Sequence, residues 1–387
     1  MATTILSALV DDSDILSNQR VIDMSDEIAL LDPETSQFYT MLSRLGSKSA
    51  FSSKIEWLED LLDPRISSTS GAETAGSTTI DVATGEGDYF RAGDVVRVAR
   101  TGEAFTVTSV ATDALTAVRG VGRVAAAAML TGDQLLIVGN GAAQGATLGT
   151  RKVTKKVAQY NYEQIQRNPY GFTNTLAASK LYGGPEPMQE RKKKLVIHKR
   201  AIEHALFWGT RSLVTSGATP VGLSGGLFEF VTTKVYDAAG ALAKSLLDTY
   251  MRGFLHNGHG DSKVLFVSPV VAQAISSFLR DAWQPADVKQ RLWGAKVDGF
   301  ISGAYGYKVP VVVKRDWNEF STASTQYGGW AFLVDMGNVT FRPLRDTKYL
   351  PNRQANDADE VSEEYLTEFS LQVEQEKTHG IIVGVTA

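Results

Sequence analysis

The run LLIVGNGAAQGA comes nearest to a known chemical device, because an apolar stretch leads into Gly139, Gly141 and Gly145. Glycines after a strand let the backbone approach a pyrophosphate, which then rests on the N-terminus of the next helix, with an acidic residue about 20 positions on for the ribose. Here the third glycine comes one position late, and GATLGTRKVTKK follows, basic and Gly/Thr-rich, with no amphipathic pattern. A flexible loop is the better reading of the Gly139–Gly145 turn, and a nucleotide-binding enzyme the remote one. His256 and His259, in FLHNGHGD, invite a metal reading. The Asn-Gly between them makes a loop, and their spacing implies no third ligand. Exposed histidines just past a helix are the plainer account. His198 and His204 fall on different faces of one helix and read as ordinary helix residues; His379, ahead of the last strand, reads as structural. Arg191–Lys194, with Lys199 and Arg200, form a basic helix surface. It is either simply solvated or set against phosphates or an acidic neighbour, a contact that carries no sequence information. No Ser/His/Asp set, carboxylate pair or zinc-hydrolase pattern stands out. We therefore assign no catalytic, cofactor-binding or metal residue and read the chain as a non-enzyme, although distant residues can converge in a fold.

The elements that carry these residues belong to a chain of 387 residues, 43% hydrophobic and 21% charged, which is globular and long enough for two or three domains. A formal net charge of -4 argues against a dedicated nucleic-acid binder but leaves room for a local basic patch. The absence of cysteine removes disulfides, thiolate metal sites and Cys nucleophiles, and is compatible with assembly in a reducing cytoplasm. The apolar stretch Ile5–Val10 is short and lacks a basic flank, so no signal segment is expected. Nothing approaches the ~20 apolar residues of a membrane span.

Residues 1–50 read as an acidic arm with a short helix ending near Pro33. KIEWLEDLL, residues 54–62, is ambiguous between strand and helix. ISSTSGAETAGSTT reads as an extended linker, and FRAGDVVRVARTGEAFTVTSV as two β-rich runs about a turn at Thr101-Gly102. LTAVRG and DQLLIVG add short strands, and residues 141–156 form a second flexible leg. Two legs around a small β-module make either an arm-like insertion or an inserted binding domain. MQERKKKLVIHKRAIEHALFWGTR is the strongest helix, started by Pro185 and Pro187, with Leu195, Ile202 and Leu206 on one face. After Gly225-Gly226 the pattern is mixed: helices in AALAKSLLDTYMRGFLHNG and VVAQAISSFLRDAW, strands in SKVLFVSP, VPVVVKRD, WAFLVDMGNVTFRPL and the two runs of EYLTEFSLQVEQEKTHGIIVGV.

In order and size these pieces resemble the tailed-phage major capsid family with the Hong Kong 97-type fold, in its podophage-like branch with an enlarged extended loop. The resemblance is carried by LLDPETSQFYTML, EWLEDLLDP, GEAFTVTSV with LTAVRG and GDQLLIVGNGAAQGA, NYEQIQRNPYGFTNTL, ERKKKLVIHKRAIEHALFWGTRS, LFVSPVVAQAISSFLRD, GYKVPVVV, FLVDMGNVTFRPLR and EFSLQVEQEKTHGIIVGV. No single motif decides it. The resemblance implies an α+β fold. In it, 1–50 is an N-terminal arm, 51–65 leads into the peripheral domain, and 66–156 is the extended loop with its inserted β-module. Residues 157–226 hold the peripheral domain with a spine helix at 187–209, 227–350 the axial domain, and 351–387 strands returning to the peripheral domain. It implies a virion shell protein that assembles with itself as hexamers and pentamers in the host cytoplasm around double-stranded DNA. A portal and, outside, a cement protein would be further partners. A long pre-sequence ahead of the arm is missing, which would make the scaffold a separate protein. An encapsulin-like compartment shell is the alternative, against which the β-module weighs. Some relatives of this fold join subunits through a lysine on the extended loop; no lysine occurs here between Lys54 and Lys152, so an uncrosslinked shell is expected. An arm and loop too small for cores of their own would gain order by burying apolar surface on neighbours, at ~25 cal/mol per Å².

Overall fold

The structure is a computed structural model that describes residues 36–386 apart from 148, 150, 180–185, 216, 218, 259, 279–282, 285–290, 293–294, 297, 302–305 and 321–327. The first 35 residues of the expected arm, the helix ending near Pro33, Pro185 and His259 lie outside the described residues. The chain divides into two units, one of Met1–Trp57 with Gln159–Ala387 and one of Leu58–Ala158.

The first described element, α1 (Gln37–Leu45), was not expected from sequence, although Phe38, Met41 and Leu42 have helical spacing and are all buried. Strand β1 (Lys54–Glu59) resolves the ambiguous KIEWLEDLL: Ile55 and Trp57 are buried and their neighbours exposed, a period of two.

In the second unit follow β2 (Ile66–Ser68), β3 (Thr79–Asp81), β4 (Asp94–Val98), β5 (Ala104–Ala111), β6 (Ala114–Val118) and β7 (Gln134–Asn140). The expected turn between the two β-rich runs is present, with Gly102 at φ +74, a conformation that glycine adopts without a Cβ penalty. The sheet order is β2-β7-β4-β5-β6-β3, and a bridge between Thr69 and Val82 joins the first strand to the last. The Ser70 N–H to the Asp81 carbonyl (2.9 Å) and the Ala83 N–H to the Ser68 carbonyl (2.8 Å) complete that seam. The sheet is thus a closed barrel with no open edge to pair with other strands. Phe90, Val96, Phe105, Val107, Leu115 and Leu135 fill it. Glu103 is fully buried and meets Arg119 at 2.7 Å, also accepting the Ala127 N–H at 3.0 Å, which pins the β6–β7 connection. Burial opposes its charge, yet the Arg119 guanidinium holds its carboxyl below the ordinary value.

The first unit resumes at β8 (Val157–Tyr162), which pairs with β1, and continues through β9 (Gln164–Thr173), α2 (Asn174–Ala178) and the long α3 (Glu186–Trp208). Helix α3 stops where Gly209 packs so closely that a Cβ would lie 2.3 Å from the Ser224 carbonyl oxygen and 2.4 Å from that of Ala205. A hairpin of β10 (Ser212–Val214) and β11 (Val221–Leu223) leads to α4 (Leu227–Phe230), β12 (Val235–Ala241), α5 (Lys244–Leu255), β13 (Lys263–Val267) and α6 (Pro269–Phe278). Then come the short strands β14 (Trp283–Gln284), β15 (Arg291–Leu292), β16 (Ala295–Lys296) and β17 (Asp298–Ile301), followed by β18 (Lys308–Val313), β19 (Ala331–Asp335), β20 (Val339–Leu350), β21 (Glu360–Val373) and β22 (Gly380–Thr386).

Two main sheets result. Strands β20-β21-β9 form an antiparallel sheet, and β12-β22-β19-β13-β18-β17-β14 a mixed one, parallel at β12–β22 and β13–β18. Strand β13 is buried throughout because both faces of the mixed sheet are covered. Val264 and Phe266 face a core shared with α1, α3, β20 and β21, while Leu265 and Val267 face a second core shared with α5 and α6. Of the two closing strands, β21 lies between β20 and β9, whereas β22 lies in the mixed sheet between β12 and β19.

Candidate functional site

The tempting glycines serve the barrel. Gly139 sits inside β7 opposite Val95, and the Gly141 N–H donates to the Gly93 carbonyl at 2.8 Å. Gly145 turns the chain at φ +74, and among the described residues that follow it no helix begins before α2 at Asn174. The described residues that follow β7 therefore bring no helix N-terminus of the kind a pyrophosphate site requires. His256 is exposed just past the end of α5.

The other three histidines do more than sequence reading assigned to them. His198 is wholly buried, with Nδ1 2.6 Å from Asn168 Oδ1 and Nε2 2.7 Å from Thr367 Oγ1, and burial pushes it down to about 4. His204 Nε2 lies 3.0 Å from Asp316 Oδ2. His379 is buried between β19 and the end of β21: its Nδ1 accepts the Asp335 N–H at 3.1 Å and its Nε2 lies 3.3 Å from the Glu374 carbonyl.

The basic run is also divided. Arg191 makes a paired contact with buried Glu363, whose carboxyl Arg191 draws down to about 2. Lys194 lies 3.7 Å from Glu190, and Lys192 and Lys193 remain exposed. The face of α3 that enters the core carries Ile202 and Leu206, as expected, but also His198 and Glu203; Leu195 is only half-buried.

Glu203 is the centre of a charge cluster that the sequence did not reveal. It pairs with Lys314, which lies 3.4 Å from Asp316, and its other oxygen accepts the Tyr39 N–H at 3.1 Å. A residue of α3 thereby caps the start of α1, whose own N-cap Ser36 makes no side-chain bond. Burial raises the Glu203 carboxyl, against the pull of Lys314. Burial works the same way on Asp316, yet the His204 hydrogen bond and Lys314 bring it below the ordinary value. Acid, base and ammonium groups lie together here, but each is used by another, so the cluster locks α1, α3 and the end of β18 together. Among the described residues no group of three or more His, Cys, Asp or Glu is placed to hold a metal ion.

Both units also expose apolar side chains among their polar ones. On the barrel exterior Ile66 lies opposite Leu136, which lies opposite Arg97 on its other side, and Val118 lies opposite Thr106; Ile66, Leu136, Val138 and Val118 are exposed. In the first unit Phe51 is 92% exposed, and Met188 and Ile197 of α3 and Ile165 of β9 are exposed as well.

Comparison with known proteins points to the family. A family model described as the SU10 major capsid protein matches residues 3–386. The major capsid protein of Pseudomonas phage PaMx41 is 26% identical over 137 residues, covering 35% of this chain and 33% of that relative, so the match spans about a third of its length. Among solved structures, that of Mycobacterium phage Cain is similar with a TM-score of 0.52 at 9% identity, over 98% of this chain and 99% of that one. The capsid of a native GTA particle gives 0.51 at 12% identity, over 96% and 97%. At such identities the structural likeness speaks for the fold alone.

Proposed function

The chain belongs to the SU10 major capsid protein family, and from that premise we propose that it builds the head shell of a tailed phage by associating with copies of itself. Its fold is the Hong Kong 97-type α+β fold. The observation that carries the reading is a closed, self-filled barrel, inserted at 58–158 and bearing exposed aliphatic side chains. A closed barrel needs no neighbour to fold, so its apolar exterior is available for contact between subunits.

In this reading the barrel unit is the working part of the extended loop, and α3 is the spine helix of a peripheral domain that also contains β9, β20 and β21. The mixed sheet with α5 and α6 is the axial domain, which β22 enters. Residues 1–50 act as the arm. Hexamers and pentamers of the chain form the shell of the virion, assembled in the host cytoplasm with a separate scaffold and a portal. A cement protein outside and non-specific contact with packaged double-stranded DNA complete the set of partners. The chain works without catalysis. Electron microscopy of the concentrated protein, expressed with and without the phage's scaffold, tests this. Closed shells, tubes or capsomers are expected; a monodisperse monomer under both conditions overturns it.

A further inference from the structure

Three neighbouring strands bring together buried polar atoms that have no partner among the described residues. Register pairs Arg342 of β20 with Ser370 of β21, and Phe369 with Gln164 at the start of β9, so Glu163, one residue earlier, follows on beside Ser370. Residues opposite one another in a ladder point to the same face of the sheet, and successive residues to opposite faces. Phe369 and Leu371 take the face turned to α1 and α3, and the row Arg342, Ser370, Glu163 takes the other. Ser370 is fully buried and Glu163 is 4% exposed. Both Glu163 oxygens, Ser370 Oγ and Arg342 Nε are buried and make no hydrogen bond. Buried polar groups are nearly always paired, because each exception keeps its desolvation cost. Four such atoms in one row need a common account.

The surroundings hold these side chains apart. Arg342 Nη1 donates to Gln372 Oε1 at 2.5 Å and Nη2 to the Ser49 carbonyl at 3.3 Å, which leaves Nε turned to the row. Segment 48–53 runs from β20 to β9: the Lys48 and Ala50 N–H groups donate to the Phe341 and Pro343 carbonyls, and the Glu163 N–H donates to the Ser53 carbonyl at 2.9 Å. The β10–β11 hairpin closes on Glu163 from another side, since a Cβ on Gly222 would lie 2.3 Å from its carbonyl oxygen. A serine between a glutamate and an arginine leaves room that neither long side chain fills.

We propose that Glu163, Ser370 and Arg342 form an internal water-binding site, in which an ordered water bridges the three side chains and completes the joint between this sheet and segment 48–53. The guest must accept from the Arg342 Nε–H and also suit a carboxyl group, and water, as donor and acceptor, does both. A cation would face the Arg342 guanidinium. An anion would face Glu368, two residues along β21 from Ser370, whose charge already acts on Glu163. Burial raises the Glu163 carboxyl to about 8, with Arg342 only partly offsetting it, as suits a group whose neighbour is a neutral guest. The site is internal to one subunit and holds whether or not the shell reading does.

A map of the full-length protein, as subunits or as shells, at a resolution that shows ordered water tests this. Density is expected within hydrogen-bond distance of Arg342 Nε, Ser370 Oγ and at least one Glu163 oxygen. A direct contact between Glu163 and Arg342 Nε, or ordered side chains with nothing between them, overturns the proposal; density with the coordination of a metal ion overturns the choice of guest. In solution, hydrogen exchange at the Ala50 and Glu163 amides reads the joint. Ser370→Ala removes one ligand but leaves the water its space, and is expected to change both rates by less than about threefold. Ser370→Val fills that space and is expected to speed both by about tenfold or more, while the Val98 and Ala117 amides of the barrel stay unchanged. Equal effects of the two variants, or none from either, overturn the water as the link. Should Ser370→Val fail to fold, the map of the wild-type protein decides alone.

Discussion

Lowering the pH tests the account of His379 directly. Burial pushes this imidazole down to about 4, with Lys263 and Lys234 adding to the effect and Asp335 and the Glu374 carbonyl opposing it. The geometry agrees, because Nδ1 already accepts the Asp335 N–H and a proton there would set one donor against another. The unfolded chain binds a proton at this residue below about 6.5, while the folded chain refuses it until about 4. Between those values the unfolded state holds more protons, so the stability contributed by the neutral imidazole is complete above 6.5 and is lost as pH falls toward 4. At roughly 1.36 kcal/mol per pH unit the whole interval is worth about 3 kcal/mol, of which about 2.5 kcal/mol is lost by about pH 4.5. The comparison is urea unfolding of wild type against His379→Asn, which keeps an acceptor near Nδ1 and does not titrate. All six tryptophans, at 57, 208, 283, 293, 317 and 330, lie outside residues 58–158, so their fluorescence reads the first unit alone. The variant is expected to be less stable at neutral pH but to lose about 2.5 kcal/mol less than wild type between about pH 7.5 and pH 4.5. Parallel pH dependence in the two proteins would refute the reasoning.

Glu163 titrates with the opposite sign. Both its oxygens are buried without a partner, and burial, reinforced by Glu368 against Arg342, raises it to about 8. The folded chain keeps this proton where the unfolded chain has lost it, so stability falls as pH rises from about 4.5 to 8; Glu163→Gln should remove that slope and gain up to roughly 5 kcal/mol at alkaline pH, measured by the same unfolding curves. Lys314→Met leaves Glu203 and Asp316 buried without their ammonium and is expected to cost about 3–5 kcal/mol, with earlier proteolysis near α1; Lys314→Met combined with Glu203→Leu should cost much less than the sum. Phe105→Ala removes a ring from the barrel core and should cost that unit about 3–5 kcal/mol, seen by circular dichroism while tryptophan fluorescence stays unchanged. Mature particles boiled in SDS should release a single band near 41.9 kDa, and a ladder of multiples would contradict the uncrosslinked shell.

What could be read from the sequence is what is local. Thr101-Gly102 and the alternation of Phe105 and Val107 with threonines gave β4 and β5, and the unbroken KVLFV gave a strand, β13, which the fold covers on both faces. Helix α3 was legible as a helix, but its buried face was not. Apolar spacing favoured Leu195, whereas the core takes His198 and Glu203, whose partners Thr367 and Lys314 lie 169 and 111 residues away. Pairings across such distances leave no trace in a window of one helix. The visible hint was only that two polar residues stood beside an apolar stripe. Barrel closure was hidden for the same reason, since Thr69 and Val82 meet across a linker that reads as featureless.

These hidden residues share one property that bears on assembly. Glu203 caps α1 with a carboxylate from α3, Lys263 donates to the carbonyls of Phe254 and Thr378, and His379 joins β19 to the end of β21. Each is a polar contact inside the first unit that joins segments far apart in sequence. Replacing such contacts by apolar packing would often cost nothing in stability, but apolar side chains tolerate sliding and a hydrogen-bonded charge does not. A subunit that must present the same surfaces to several neighbours gains more from fixed registers than from extra stability. On that argument the Lys314→Met and Glu203→Leu pair should fold well and yet assemble with more irregular particles than wild type. Micrographs showing wild-type uniformity from the double variant would mean that these buried charges serve folding alone.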